Sequence, residues 1–234
     1  MPTTFSPEAL KFLRSLARNN DRAWFDPRKP IYERDLKAPL LALIAEINDA
    51  LADFAPDHIR APHKTMMRIY RDTRFAADKR PYKTHVAAWW IRVGLEKTSG
   101  AGFYFHLSGK ELVIAAGMYM PTRDQLLAVR RHIAEHHAEL RTLLANNKLR
   151  AALDPLEGHR LTRLPRGFAP DSPAADLLLQ QQWGLSATLP ADIATTPALL
   201  REITRRFALA APLVHFLNAP LPSSEKKLNA DFHR

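Results

Sequence analysis

Four short runs rich in aromatic and aliphatic residues, at 65–71, 85–93, 102–107 and 112–119, follow one another in the chain, and segments with helical spacing flank them on both sides. Runs of this length that alternate imperfectly read as half-buried strands. The stretches Thr98-Ser99-Gly100 and Ser108-Gly109-Lys110 between them are short and turn-forming, which favours antiparallel hairpins. Strands grouped between helices, rather than alternating with them, predict an α+β fold. The expectation is one domain over 1–221, with a mainly antiparallel central sheet of about four strands flanked by N- and C-terminal helices, and a polar, mobile tail over 222–234.

The helical segments carry their own punctuation. Ser6-Pro7-Glu8 supplies a cap, a first-turn proline and an acid at the positive end of the dipole, ahead of Ala9, Leu10, Leu13 and Leu16 at helical spacing. Asn19-Asn20-Asp21 breaks that helix. Asp26-Pro27 predicts the start of a second, divided or kinked at Pro39. Thr122 and Gln125 form a capping box that opens a helix to about Ala145, and Thr196-Pro197 opens a last one that Pro212 is expected to kink. Residues 154–173 read as a loop punctuated by proline and glycine.

Charge sets the functional reading. The 234 residues carry a formal charge of +10, from 34 basic and 24 acidic side chains. Between Arg60 and Arg92 nine Lys or Arg face two Asp, a surplus of +7, so the rest of the chain supplies only +3. Such asymmetry favours an anionic partner: a small molecule or a nucleic acid. The absence of cysteine excludes disulfides, thiolate metal sites and cysteine nucleophiles. The first residues have neither a basic start nor a long apolar run, and no stretch approaches the roughly 18 apolar residues of a membrane span, so a cytoplasmic location without a membrane partner is expected. Only 8 glycines are present, none in a phosphate-cradling loop, and no serine sits in a nucleophile elbow. His132 and His136 have chelating spacing, but Glu135 immediately precedes His136, which is not the zincin order; neither a metal nor another cofactor is expected.

The surplus is concentrated in residues 68–85, where Arg68, Arg71, Arg74, Lys79, Arg80 and Lys83 alternate with Asp72, Asp78, Tyr70, Phe75, Tyr82 and His85. The pattern Arg-x-x-Arg-Asp-x-Arg-Phe-x-x-Asp-Lys-x-x-Tyr, from Arg68 to Tyr82, resembles the signature of a bacterial family known as domain of unknown function 2461. Asn19 to Phe25 with Lys29 and Tyr32, Ala101 to His106, and Leu161 to Phe168 are similar to three further stretches of that family. One departure is Ser172-Pro173, where the family usually has His before Pro. The resemblance covers most of residues 5–217 and implies positions of interest rather than an activity.

Arginine suits an anion site because its planar fork binds carboxylate or phosphate through two bonds. Arg68, Arg71, Arg74 and Lys79 are therefore candidate anion binders, expected to converge on one concave surface. Tyr104 and His106 share one strand face opposite Phe103, Phe105 and Leu107, as residues lining a groove would. Arg130 falls on the apolar side of its helix, where a guanidinium needs a carboxylate or a ligand as partner. Asp72 is a candidate base or arginine-orienting group, and Tyr82 and His85 are candidate proton carriers. Trp24-Phe25 and Trp89-Trp90 are packing residues or stacking platforms. Three readings follow: a basic, aromatic-lined pocket for a phosphate- or carboxylate-bearing ligand, with a nucleotide or nucleic acid favoured; a metal-independent hydrolase or lyase of a phosphorylated substrate; or a structural ion network that binds nothing. Oligomeric state stays open.

Overall fold

The structure, a computed structural model, describes residues 3–95, 99–155 and 160–222. The tail beyond residue 222, part of the turn at 98–100 and part of the loop at 154–173 lie outside the described residues.

A five-stranded antiparallel sheet runs in the order β1-β2-β3-β5-β4. Its strands are β1 (His85–Ile91), β2 (Gly102–Ser108), β3 (Glu111–Met118), β4 (Asp154–Pro155) and β5 (Trp183–Pro190). Burial alternates along β2 and β3 because successive side chains point to opposite faces. Phe103, Phe105, Leu107, Leu112, Ile114 and Met118 are buried on one face. Against that face packs the C-terminal helix Ala198–Asn218, whose Phe207 lies 5.0 Å from the Phe103 ring and 5.6 Å from Trp90. Helix Ala38–Leu51 completes this core, and its Asn48 accepts the Trp90 indole N–H at 2.8 Å.

Two helix starts are as the sequence predicts. Ser6 caps helix Pro7–Arg18, and the box between Thr122 and Gln125 opens helix Arg123–Leu144, which kinks at His136. Helix Ala198–Asn218 continues through Pro212 as one helix, where a kink was expected. The α+β architecture is as expected, but several details differ. The second helical run begins at Arg22, capped by Asp21, and passes through a tight turn at Asp26–Arg28 instead of starting there. Residues 65–71 are not a strand of the sheet. Pro62 starts a short helix, Pro62–Thr65. The chain then pairs with β1 at Met66 and Met67. Beyond that it forms a narrow ribbon in which the Arg71 amide donates to the Pro81 carbonyl and the Lys83 amide to the Ile69 carbonyl, each at 2.8 Å.

Two strands are absent from the sequence reading: the two-residue β4, at the start of the stretch read as a loop, and β5, which pairs with β3 along its whole length. Gly117 fixes the fit between β3 and β5: its φ is +126°, and a Cβ there would lie 2.2 Å from the Trp183 carbonyl oxygen.

Candidate functional site

The face of the sheet turned away from the core carries His85 and Trp89 from β1, Tyr104 and His106 from β2, Val113, Ala115 and Gly117 from β3, and Gly184 and Ser186 from β5. All of these but His85 line a groove of about 380 Å³, to which Met67 and Tyr119 also contribute. Small residues make its floor and rings make its wall. Trp89 meets Tyr104 edge-on at 6.4 Å, the Tyr104 hydroxyl lies 3.1 Å from His106 Nδ1, and the rings of His106 and His85 are 4.7 Å apart.

His106 also borders a second depression, of about 670 Å³, between the β2–β3 turn and helix Pro7–Arg18. Gly109 lets these two surfaces meet, since a Cβ there would fall 2.5 Å from Arg14 Cγ, and Arg14 Nε donates to the Gly109 carbonyl at 2.7 Å. Arg14, Arg18, Arg80 and Lys110 line this cleft with His85 and Glu111. Arg14 has Asp192 at 3.6 Å and Arg80 has Asp78 at 2.7 Å. Among the described residues no carboxylate lies within ion-pair distance of Arg18 or Lys110. His106 thus borders both an apolar, ring-walled groove and a cleft lined by four cations and one carboxylate, Glu111.

The signature residues lie beside this site and mostly bind one another. Asp78 accepts from Arg71 at 2.7 Å and from Arg80, while Asp72 accepts from Arg74 at 2.8 Å. Lys79 Nζ donates to the Thr73 carbonyl at 3.0 Å. Arg68 is exposed and acts on Asp72 through space. Of these cations only Arg80 reaches the cleft, so Arg68, Arg71, Arg74 and Lys79 do not line the groove with Tyr104 and His106 as their spacing predicted. The reason is the ribbon: it carries residues 72–80 out on a loop, where the two carboxylates gather the arginines. The side-chain and backbone hydrogen bonds from Arg74 hold the Asp72 carboxyl down at about 2, so it is a carboxylate with little basicity near neutral pH.

Tyr82 is 2% exposed and stacks on Phe25 at 4.1 Å, with its backbone bracketed by the Asn20 side chain at 2.9 and 3.0 Å. The N-terminal motif and the signature are therefore two halves of one packed unit, in which Tyr82 is a packing ring. Arg130 is buried, as the helical phase predicts, but its partners are the carbonyls of Leu178 at 2.9 Å and Gln180 at 2.8 Å. This corrects the expectation of a carboxylate or ligand, and no carboxylate offsets the burial that lowers its pKa.

The histidines report on burial. His85 is pushed down to about 4, chiefly by desolvation and then by His106 and Lys83. His106 is lowered by burial against an opposing pull from Glu111, and His58 and His132 are lowered by burial as well. All four are held neutral in the fold while the unfolded chain takes up protons near 6.5. The unfolded state then binds more protons, so stability must fall as pH drops from about 6.5 toward about 4. The depressed carboxyls of Asp72 and Asp78 act in a lower window, below their ordinary value of 3.8. Urea unfolding at a series of pH values from neutral to about 4.5 should show this decline, reduced in His85→Asn. A flat profile would contradict the burial of these imidazoles.

The family model described as Conserved hypothetical protein (DUF2461) matches residues 8–216, most of the chain. The chain belongs to this family. No curated protein and no solved structure matches it. The matched span of this family member includes the groove, the cleft and both packed motifs. Among the described residues no helix is long and apolar enough to cross a membrane.

Sequence reasoning missed the cleft. Arg14 and Arg18 lie on the exposed side of the first helix, where charged residues are commonplace, and Lys110 sits in an ordinary turn. The four-residue spacing of Arg14 and Arg18, on one helix face opposite the apolar stripe, was the available signal.

Proposed function

We propose that this protein is a cytoplasmic binding domain for a phosphate- or carboxylate-bearing ligand, with a nucleotide or nucleic acid fragment as the favoured class. The observation that carries this reading is the position of His106, common to a ring-walled apolar groove and a cationic cleft. A flat ring fits against Trp89 and Tyr104, where stacking is tolerant of its identity. The anion fits near Arg18 and Lys110, which lack a carboxylate. His85 and His106 lie at the junction, neutral and able to donate or accept a hydrogen bond.

Isothermal titration with adenosine monophosphate and with inorganic phosphate tests it. The nucleotide should bind saturably and more tightly than phosphate, with affinity falling as salt rises. Arg18→Ala should weaken both by about tenfold or more, the cost of one charge-assisted bond. Trp89→Ala should erase the difference between them. If neither probe binds the folded wild-type protein, the reading fails.

A second reading, a metal-independent hydrolase or lyase of a phosphorylated substrate, draws on the same histidines. His106 has the Tyr104 hydroxyl 3.1 Å from one ring nitrogen and the Glu111 carboxylate 3.9 Å from the other, so a proton carrier there has a carboxylate close by, outside direct hydrogen-bond reach. Turnover of a phosphorylated probe that disappears in His106→Asn but survives in Asp72→Asn would favour it. The mutual pairing of Asp72 and Asp78 with Arg74, Arg71 and Arg80 supports the structural reading for the signature loop itself.

A further inference from the structure

We propose that the 72–80 loop is a contact finger for single-stranded nucleic acid, with Phe75 as its stacking ring. Phe75 is 95% exposed, the most exposed of the large apolar side chains among the described residues. The turn that displays it is braced. Asp72 holds both the amide and the guanidinium of Arg74, Asp78 holds Arg71 and Arg80, and Lys79 ties back to the Thr73 carbonyl. The Arg74 guanidinium carbon lies 5.9 Å from the centre of the Phe75 ring, whose faces are otherwise bare.

The surroundings of that ring are cationic. Between residues 68 and 83 six Lys or Arg face two Asp, a surplus of +4. Positive charge continues through Arg80 into the cleft of Arg14, Arg18 and Lys110. A chain of phosphates can therefore run from the loop into the cleft while a base stacks on Phe75. Single strands have the complementary chemistry: every base offers a ring face whatever its identity, and the backbone follows positive charge. A duplex hides its base faces inside the stack. A membrane surface calls for an apolar helix face or a lipid anchor rather than one ring. The proposal rests on the cationic cleft of the proposed function and adds the Phe75 loop, which lies outside the groove, so Phe75→Ala tests it apart from nucleotide binding there.

Fluorescence anisotropy with a labelled oligouridylate of about 20 nucleotides at low salt tests it. Wild-type protein should bind the single strand more tightly than a duplex of equal length. Phe75→Ala should weaken binding roughly 5- to 150-fold, the range expected for one lost stacked base, with an unchanged melting temperature. Phe75→Trp should keep the affinity, and its indole emission should be quenched on binding. Leu127→Ala, which trims another exposed apolar side chain, should behave as wild type. Equal affinities for wild type and Phe75→Ala would leave charge attraction alone and overturn the proposal. So would failure of the wild type to bind the oligonucleotide, including the case in which it binds anionic phospholipid vesicles instead.

Discussion

Phe25→Ala is expected to destabilise the protein by about 3–5 kcal/mol, the usual cost of emptying a buried phenyl site. Phe25 is fully buried, stacked on Tyr82 at 4.1 Å and packed near Tyr32 at 5.6 Å, Phe12 at 6.3 Å and Tyr70 at 6.3 Å. Four of its neighbours are rings, which cannot bend into the vacated space as flexible side chains can. The cavity would open between the N-terminal motif and the ribbon that supports the signature loop. Local opening should therefore accompany the global loss. The amides of Arg71 and Lys83, which close the ribbon, should exchange with solvent faster than those of β2. Urea unfolding and hydrogen exchange on the same variant provide the check. A loss under about 1 kcal/mol would mean that the two motifs do not depend on each other.

Arg130→Ala is expected to cost about 3 kcal/mol or more of stability while leaving anion affinity unchanged. Its guanidinium clamps the carbonyls of Leu178 and Gln180, just ahead of β5. Each bond from a charged donor contributes about 1.5–3 kcal/mol, and truncation leaves two carbonyls to find other partners. Thermal unfolding and a phosphate titration on this variant separate the structural role from the ligand-binding one assigned by helical phase. A stable variant with weakened anion binding would reverse the assignment. Arg74→Ala is the contrasting case, since Arg74 pairs with Asp72 on the exposed loop, where solvent screens the attraction and little stability is at stake.

The two variants mark the boundary between local and distant information. The caps at Ser6 and Thr122 were legible because they act within one turn: each accepts a bond from an amide three residues on. Tyr104 and His106 were legible as a shared face because strand side chains alternate. The burial of Arg130 followed from its angle on a helix. Its partners did not, because Leu178 and Gln180 lie 48 and 50 residues away and no periodicity links them. Strand β5 was missed although Trp183, Leu185, Ala187 and Leu189 alternate toward the core, because Gly184, Ala187 and Pro190 are poor strand formers. It becomes a strand by pairing with β3.

The same division holds for the candidate site. Composition by itself determined that the chain is basic, free of cysteine and charged most densely between Arg60 and Arg92. It also determined which residue types stand together in the signature. Only the tertiary structure decided where those charges act. Asp72 and Asp78 draw the nearby arginines onto the loop, because a carboxylate within a few residues meets a guanidinium before a distant pocket can. The cleft instead takes Arg14 and Arg18 from a helix and Lys110 from a turn, brought to Arg80 and His106 by the packing of that helix against the β2–β3 turn. Local sequence encodes dihedral preference, periodicity and nearby pairing. Convergence of residues about 90 positions apart exists only once the sheet has closed and the helix has docked on it.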